Sequence, residues 1–229
     1  MLLEAKGLRK VYDARGVLTR ALDGVDFNVE EGEFAALAGP SGSGKTTLLN
    51  MLGALDVPDE GRVLLDGDSY ADLTARALAA LRLHKLGFVF QAYNLIPVFS
   101  AVENIEFVLE LQGAPAAERR LRALEVLEQV GLEGLGEKRP LELSGGQQQR
   151  VAVARAIASR PRLVLADEPT ANLDSTTARS LLELMQSLNR DHGVTFLFST
   201  HDPLVMEAAR RIVRLKDGRI ERDERSEAA

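Results

Sequence analysis

The sequence predicts a single α/β domain in which a lobe of helices interrupts a core of alternating strands and helices. A glycine-rich loop, residues 39–46, separates a short apolar run from a helical segment. Residues 92–159 show helical spacing of apolar side chains, and the alternation of strand and helix patterns resumes at residue 160. We therefore expect residues 1–91 and 160–229 to form the core and residues 92–159 to form the lobe.

Composition limits the classes of function. The chain has 229 residues, of which 45% are hydrophobic, so one sizeable core is expected. It carries 28 Lys and Arg against 34 Asp and Glu, a formal charge of -6. That charge argues against a broad nucleic-acid interface, because such an interface needs a strongly basic face. No cysteine is present, which excludes disulfides, thiolate metal sites and a cysteine nucleophile.

The N-terminal segment, residues 1–6, lacks the basic and then apolar pattern of a signal peptide. No apolar stretch approaches the roughly 20 residues that span a bilayer. We therefore expect a cytoplasmic protein. If it works at a membrane, another chain must cross the bilayer.

The elements before the lobe are predicted from short apolar runs and turn residues. In order, they are a strand over 33–38, a helix over 45–54, a strand over 61–65 that enters a turn at 66–67, a helix over 74–85 capped by Thr74, and a strand over 87–90.

The lobe is predicted to be helical. Ser100 and Glu103 have the spacing of a capping box, which opens a helix through about residue 111. A second helix, with Gly131 as its stop, is predicted from helical spacing at Leu121, Leu124, Leu127 and Val130. Ser144 is placed to cap a third helix that runs to about residue 159.

Strands and helices alternate again after the lobe. The predicted elements are a strand over 162–166, a helix over 174–193 capped by Asp174, a strand over 194–200, a short helix from 202 with Pro203 at its first position, and a hairpin of 211–215 with 219–221. Beyond Glu221 the chain is charged, and we expect it to be frayed.

The glycine-rich loop has the pattern of a phosphate-binding loop: glycine, four residues, glycine, lysine and threonine. Its backbone N–H groups can point at phosphate oxygens, and the helix behind it adds a positive N-terminus. Lys45 is expected to neutralise the β and γ phosphates of a nucleotide, and the Thr46 hydroxyl to bind Mg²⁺. The alternative is an ordinary glycine-rich turn. The expected nucleotide contacts from this loop are Gly39, Pro40, Ser41, Gly42, Ser43, Gly44, Lys45, Thr46 and Thr47.

Two acids, Asp167 and Glu168, end an apolar run. Asp167 is expected to hold Mg²⁺ through water, and Glu168 to accept a proton from an attacking water. Alone, the pair is equally consistent with a polar strand end. A phosphate loop in the same chain favours the catalytic interpretation.

A second glycine-rich element, Leu143-Ser144-Gly145-Gly146-Gln147, lies at a predicted helix start, where backbone N–H groups favour an anion. With the phosphate loop and the acid pair, it resembles the signature of the ATP-binding subunits of ABC transporters, over nearly the whole chain. The resemblance implies a P-loop NTPase core of ABC ATPase type, with an N-terminal antiparallel β subdomain and an inserted helical lobe. It also implies that the protein binds ATP and Mg²⁺ and hydrolyses the ATP.

The resemblance assigns roles to residues that carry little signal alone. His201 resembles the family's switch histidine at the γ-phosphate, and Gln91 resembles the Q-loop glutamine near Mg²⁺ and the water. Tyr12 resembles the aromatic residue that stacks on adenine, although it also suits packing within a strand. Asp174 lies in a stretch that matches the D-loop, which crosses the dimer interface in this family, so the resemblance implies that it belongs to the nucleotide-binding residues; it also suits a helix cap. The implied catalytic residues are Glu168, His201, Gln91 and Lys45, and the implied metal ligands are Thr46, Gln91 and Asp167.

In this family the signature of one subunit closes on the nucleotide held by another. The resemblance therefore implies a head-to-tail dimer in which Ser144, Gly145, Gly146 and Gln147 contact the nucleotide of the second copy. It also implies integral membrane subunits as partners, a peripheral position on the inner face of the membrane, and no nucleic acid. Five apolar side chains are expected either to pack inside the lobe or to line a groove for a helix of the membrane partner: Tyr93, Leu95, Ile96, Val98 and Phe99.

Two longer stretches, residues 87–97 and 166–174, resemble the lipoprotein-releasing (LolD-type) and macrolide-exporter (MacB-type) ATPases. Ala171 and Gln148 are mild departures from that pattern. The resemblance implies export or extraction of a lipoprotein, lipid-like or amphiphilic cargo. A signalling ATPase of the cell-division (FtsE-like) type, which moves a membrane partner without cargo, shares every motif. An ATPase acting on DNA or ribosomes is disfavoured by the lack of sustained heptads and of a second cassette, and a nucleotide kinase would not explain the signature.

Overall fold

In the computed structural model, which describes residues 1–14 and 17–225, the strands form two sheets. The strands are β1 (Leu3–Ala14), β2 (Val17–Val29), β3 (Phe34–Ala38), β4 (Glu60–Leu65), β5 (Asp68–Ser69), β6 (Leu86–Phe90), β7 (Leu163–Asp167), β8 (Phe196–Thr200), β9 (Arg211–Lys216) and β10 (Arg219–Arg225). The α-helices are α1 (Lys45–Leu52), α2 (Ala75–Lys85), α3 (Ala101–Leu111), α4 (Ala116–Gln129), α5 (Gly145–Ala158), α6 (Ser175–His192) and α7 (Pro203–Ala208). Within the described ranges, none of these helices is long and apolar enough to cross a membrane.

The larger sheet brings the predicted motifs together. Its strand order is β10-β9-β3-β8-β7-β6, and its neighbours are parallel except for the antiparallel β10–β9 pair. The carboxyl ends of parallel strands meet at one edge of the sheet. The loops after β3, β6, β7 and β8 therefore lie close together, and they carry the phosphate loop, Gln91, Glu168 and His201.

Both faces of this sheet are covered, as its apolar strands require. Successive side chains of a strand point to opposite faces, so each strand contributes to two cores. Phe34, Phe196 and Phe198 belong to the core that includes the lobe and α6. Leu37 and Leu197 belong to a second core, which includes α1 and the smaller sheet.

The smaller sheet is the N-terminal antiparallel β subdomain that the family resemblance implies. Its strand order is β2-β1-β4-β5. β1 and β2 are long antiparallel neighbours, and their register places Tyr12 opposite Thr19. The smaller sheet packs on α1 through buried residues such as Leu3, Leu22 and Leu48, and this packing sets the hairpin beside the phosphate loop.

The lobe consists of α3, α4 and α5 and is inserted between β6 and β7, as predicted. The capping box of α3 is present: Glu103 N donates to Ser100 Oγ at 3.3 Å, and Ser100 N donates to Glu103 Oε2 at 2.7 Å. The helices pack around buried residues such as Val102, Ile105 and Val151. The division of the chain at residues 92 and 159 stays a prediction.

The predicted frayed C-terminus is wrong for residues 222–225. β10 continues to Arg225, because Arg211 is buried and its guanidinium donates to both carboxylate oxygens of Asp223 at 2.8 Å. The same guanidinium donates to Glu33 Oε1 at 3.0 Å. The rest of the predicted frayed segment, residues 226–229, lies outside the described residues.

The leucine spacing in α4 predicts the helix correctly, and the side chains that share this spacing differ in burial. Leu127 and the following Val130 are buried in the lobe core. Leu121 and Leu124 are 63% and 46% exposed. Helical spacing alone therefore shows which side chains share a face, and tertiary packing determines how much of that face is covered.

Candidate nucleotide site

The predicted phosphate loop joins the end of β3 to the start of α1. Gly44 precedes the helix with a φ of 103°, a value that favours glycine, and a Cβ there would lie 2.4 Å from Ala21 O. Lys45 Nζ folds back to donate to Gly39 O at 2.8 Å and to Pro40 O at 3.0 Å. Because the first N–H groups of an α-helix have no acceptor within the helix, the start of α1 offers donors suited to phosphate.

A cavity of about 650 Å³ opens at this loop. The predicted site residues that line it are Tyr12, Pro40, Ser41, Gly42, Gly44, Lys45, Thr46, Thr47, Gln91, Glu168 and His201. Gly39 and Ser43 lie in the same loop but outside the cavity lining. The structure thus gathers residues from β1, the phosphate loop and three separate strand ends around one space.

The candidate metal ligands lie next to each other. Thr46 Oγ1 is 3.4 Å from each carboxylate oxygen of Asp167, and Gln91 lines the same cavity. In the described part of the chain, no cluster of three or more His, Cys, Asp or Glu could hold a metal ion. Mg²⁺ is commonly bound by one or two carboxylates together with waters and substrate phosphates. The hydroxyl and carboxylate here fit that arrangement.

Glu168 is held tightly at the edge of the cavity. Its φ is 47°, a left-handed value for a residue with a side chain, which typically costs about 1–3 kcal/mol and needs support from its surroundings. That support is visible: Glu168 N donates to Ser199 O at 2.8 Å, and Thr200 Oγ1 donates to Glu168 Oε2 at 3.3 Å. His201 Nδ1 lies 2.7 Å from Glu168 Oε1. The predicted base and the predicted switch histidine are therefore direct neighbours.

Tyr12 lines the cavity and also contacts two neighbouring charged side chains. Its hydroxyl donates to Asp56 Oδ2 at 2.8 Å, and Lys10 Nζ is 5.4 Å from the ring centroid. Burial, assisted by the Asp56 carboxylate, raises the pKa of the Tyr12 hydroxyl above its ordinary value. Tyr12 is 39% exposed and lines the cavity, where its ring can offer an apolar surface while the hydroxyl bond to Asp56 fixes its orientation.

The predicted signature loop lies elsewhere in the chain. Ser144, Gly145, Gly146 and Gln147 are absent from the lining of the cavity. They open α5 with a capping box, in which Gln147 N donates to Ser144 Oγ at 3.3 Å and Ser144 N donates to Gln147 Oε1 at 2.9 Å. One chain does not bring its two glycine-rich elements together around one nucleotide site.

The signature glycines are packed closely by neighbouring side chains, a feature that the sequence did not reveal. A Cβ at Gly145 would lie 2.9 Å from Tyr93 Oη, and a Cβ at Gly146 would lie 2.4 Å from Thr177 Cγ2. Real Cβ atoms do not approach other atoms this closely. The two glycines therefore allow Tyr93 and Thr177 to approach the backbone of the signature loop.

Asp174 acts as a helix cap in the structure. Its Oδ1 accepts from Thr176 N and Thr177 N at 3.0 Å, and its Oδ2 accepts from Thr177 Oγ1 at 2.6 Å. The Thr177 hydroxyl, with these N–H groups, lowers the pKa of Asp174 below its ordinary value. The predicted cap is thus present, and Asp174 does not line the cavity of its own chain.

Sequence reasoning missed several contributors to the site. Thr19 and Ala21 line the cavity because β2 pairs with β1 beside Tyr12, a register that no local pattern reveals. Ala171 lines it from the loop after Glu168. Thr200 was treated as part of a strand, although its hydroxyl bonds Glu168. A hydroxyl residue at the end of an apolar strand, directly before a histidine, was the available signal.

The sequence is similar to a known protein family and to several named proteins. Residues 22–171 match the ABC transporter family. An uncharacterized ABC transporter ATP-binding protein of Thermotoga maritima is 49% identical, over 98% of this chain and 95% of that protein. The lipoprotein-releasing system ATP-binding protein LolD of Anaeromyxobacter dehalogenans is 49% identical, over 96% of this chain and 93% of its own length. The macrolide export ATP-binding/permease protein MacB of Syntrophobacter fumaroxidans is 48% identical over 96% of this chain, which spans 31% of that longer protein.

Solved structures show the same similarity. The ATP-binding cassette MJ0796, in a dimeric post-hydrolysis state bound to ADP and Pi, matches with a TM-score of 0.91 and 44% identity over 100% of both chains. The corresponding uncharacterized protein of Methanocaldococcus jannaschii is 45% identical over 98% of this chain. The fold and the sequence therefore agree on the same relatives.

Proposed function

The chain belongs to the ABC transporter family, and we propose that its ATPase activity drives a membrane partner for export or extraction of a lipoprotein, lipid-like or amphiphilic cargo. The family match and the nucleotide-bound structural relative identify it as an ATP-binding ATPase of ABC type. The relatives named LolD and MacB support the subfamily. One observation carries the proposal: Gln91 lines the nucleotide cavity, and Asn94 and Ile96, which follow it closely in the chain, line an apolar groove between core and lobe.

ATP is expected to bind with its phosphates in the 39–46 loop. Lys45 already lies at that loop and has three donors, so it can exchange one of its carbonyl acceptors for phosphate oxygens. The start of α1 adds backbone donors. Tyr12 offers a ring for the adenine at the same cavity.

Bound Mg²⁺ would neutralise charge on the β and γ phosphates. Thr46 and Asp167 would hold the ion, and Gln91, which lines the same cavity, is proposed as a further ligand. Asp167 is positioned at the end of β7, whose pairing with β6 and β8 fixes its place at the sheet edge.

Glu168 is proposed as the base that accepts a proton from the attacking water. Its contacts with His201 and Thr200 hold the carboxylate in one orientation. Because His201 is 70% exposed at its side chain, it is free to turn toward a γ-phosphate without leaving a buried pocket. This arrangement orients the base before the substrate arrives.

A second copy of the chain is proposed to complete each site. The signature loop begins a helix whose donors suit an anion, yet it does not line the cavity of its own chain. A head-to-tail pair would place the Ser144 loop of one copy over the nucleotide of the other. The dimeric state of the structural relative MJ0796 supports this arrangement.

The surface proposed for the membrane partner is an apolar groove of about 660 Å³ between core and lobe. Its apolar lining comes from Leu55, Leu83, Leu86, Phe88, Phe90, Ile96, Phe107, Val108 and Leu111. Of the five side chains predicted for such a groove, Ile96 is the one that lines it. Leu95 packs on the lobe core, and Phe99 packs edge-on against Phe107 at 5.8 Å between ring centroids. A short amphipathic helix suits a groove of this kind.

The groove is testable by co-purification from mild detergent. Leu111 is 56% exposed at the groove, so Leu111→Gln should leave folding and ATP binding intact. Losing an anchor in an apolar groove typically costs on the order of 2 kcal/mol, or roughly 30-fold in affinity. Leu124→Gln, at a similarly exposed leucine outside the groove, is the matched control. Equal recovery of the membrane chain with both variants would place the partner elsewhere.

Cargo separates the proposed transporter from the signalling alternative. With the co-purified partner in vesicles, a transporter moves or releases an acylated or amphiphilic substrate in step with ATP hydrolysis. A partner that changes its activity with ATP while moving no cargo would favour the FtsE-like function. The proposed location is the inner face of the membrane, held there by the partner.

A further inference from the structure

The backbone of the loop that follows β6 is held by side chains from other elements. This loop, residues 91–95, is called here the Gln91 loop. Asn172 Nδ2 donates to Gln91 O at 2.9 Å. The guanidinium of Arg155, on α5, donates to Tyr93 O at 3.0 Å and to Asn94 O at 2.6 Å. The loop that carries Gln91 is therefore tied to the same helix that begins with the signature.

Two consecutive residues of this loop have left-handed backbone. The φ angles are 59° at Tyr93 and 50° at Asn94. Asparagine tolerates this conformation, whereas a bulky residue such as tyrosine rarely adopts it. Such a conformation persists only where the surrounding structure enforces it. Arg155 accounts for this, because its planar guanidinium binds both carbonyls at once.

Arg155 has no competing role in ion pairing. In the described part of the chain, no carboxylate lies within ion-pair distance of its guanidinium, and burial lowers its pKa below the ordinary value. A partly buried charge held by two carbonyls is a costly arrangement for scaffolding alone. The two hydrogen bonds from Arg155 are explained if they maintain the geometry of the Gln91 loop.

The side chain of Tyr93 continues the connection to the signature. Its hydroxyl occupies the space where a Cβ of Gly145 would lie, at 2.9 Å. Gln91 faces the nucleotide cavity of its own chain, whereas Gly145 lies outside it. Tyr93 therefore joins a loop at one nucleotide site to the loop that, in the proposed dimer, serves the other site.

We propose that Arg155 and Tyr93 are positioning residues that fix the Gln91 loop against the signature loop of the same chain, and that this link couples the two nucleotide sites of the dimer. The inference rests on the proposed head-to-tail dimer. A change at Gln91 shifts Tyr93 through three residues of constrained backbone, and Tyr93 shifts Gly145. Neither residue is expected to touch the nucleotide.

The test uses the isolated chain of 229 residues, so the membrane partner plays no part. Arg155→Met keeps an unbranched side chain of similar length and removes both bonds to the loop. We expect the turnover number to fall about 10- to 100-fold, the range produced by small displacements of catalytic groups. ATP binding by the monomer should stay nearly unchanged, because the phosphate loop is untouched. Arg155→Lys, which can restore a donor to these carbonyls, should recover part of the turnover.

Arg150→Met is the matched control on the same helix. Arg150 is also half-buried and donates to Val130 O at 2.7 Å and Ser180 Oγ at 2.9 Å, away from the Gln91 loop. It should lose a similar amount of stability and keep its turnover number. An equal loss of turnover in both variants, or wild-type turnover in Arg155→Met, would overturn the proposal.

A double-mutant cycle tests whether the two residues act as one link. Tyr93→Ala should resemble Arg155→Met, and the double variant should lose little more than either single variant, because a link broken once cannot be broken again. Additive losses would overturn the coupling. ATP-dependent dimerisation of the hydrolysis-deficient Glu168→Gln variant, with Arg155 and Tyr93 unchanged and measured by light scattering, shows whether the proposed dimer forms at all. If the dimer forms and the cycle is additive, the link is wrong and the proposed function stands.

Discussion

Replacing Lys45 by alanine tests the nucleotide site most directly. The side chain is 7% exposed, and its Nζ donates to Gly39 O and Pro40 O. The substitution removes two hydrogen bonds from the loop as well as the charge expected at the phosphates. A hydrogen bond contributes about 0.5–1.5 kcal/mol net. The variant without nucleotide should therefore be less stable than wild type by about 1–3 kcal/mol.

The contribution of the ligand is separable from this loss. A ligand at about 100 times its Kd stabilises the folded state by about 2.7 kcal/mol. In a chain of this size, each kcal/mol raises Tm by about 2–4 °C. Mg-ATP should therefore raise the Tm of the wild type by about 5–10 °C. Lys45→Ala should lose most of that increase, because the cation at the β and γ phosphates is gone.

The assay is thermal unfolding with and without Mg-ATP, in which each variant is compared with itself. Lys85→Ala is the control, because its ammonium pairs with Asp66 and Asp68 outside the cavity. It should lower Tm slightly and keep the full ligand-induced increase. If Lys45→Ala keeps the same increase as Lys85→Ala, the 39–46 loop does not bind the phosphates.

Three further outcomes are expected. Glu168→Gln should retain ATP binding, lose about 10²–10⁴ in hydrolysis rate, and accumulate as an ATP-dependent dimer in light scattering; wild-type hydrolysis would contradict its role as base. Mixing Ser144→Arg with Lys45→Ala chains should give more ATPase activity than either variant alone, because both lesions fall on one shared site, and full activity of the Ser144→Arg homodimer would refute shared sites. Arg211 lowers the pKa of Asp223, so the ionised Asp223 carboxylate stabilises the folded state at pH values above the ordinary pKa of 3.8. Because Asp223 is partly exposed, this contribution is about 1 kcal/mol at most. It is lost as the pH falls through the lowered pKa of Asp223. Denaturant titrations should therefore show Asp223→Asn less stable than wild type at neutral pH, with the difference shrinking as the pH falls below the ordinary pKa and through the lowered one.

Local patterns predicted most of the elements because their signals are contained within a few residues. Thr74, Ser100, Ser144, Asp174 and Asp202 each cap the helix that was predicted after them. A cap requires a hydroxyl or carboxylate within two or three residues of the N–H groups it binds, so short-range sequence is sufficient. The strands that precede the phosphate loop, Gln91, Glu168 and His201 were predicted for a similar reason, since their apolar runs are short and uninterrupted.

Long-range partners account for what the sequence did not predict. β10 continues to Arg225 because Asp223 pairs with an arginine on the neighbouring strand, and Arg211 is held in turn by Glu33 from the start of the domain. Read alone, residues 222–225 are four consecutive charged side chains, a composition typical of a frayed end. The order of residues 222–225 depends on the buried Arg211 guanidinium, which also binds Glu33, a residue far from both in the sequence.

The signature loop shows why a motif can be recognised before its packing is understood. Its glycines were interpreted as an anion-binding element, from their place at a helix start. The structure adds that a side chain at Gly145 would collide with Tyr93 and one at Gly146 with Thr177. These neighbours come from the Gln91 loop and from the helix capped by Asp174, so the glycines also bring three predicted motifs into contact. Tyr93→Ala, which enlarges the space beside Gly145, separates two reasons for glycine at this position. If anion binding were the only reason, the variant would keep the wild-type turnover. If close packing matters as well, the variant loses turnover although the anion-binding backbone of the signature loop is intact.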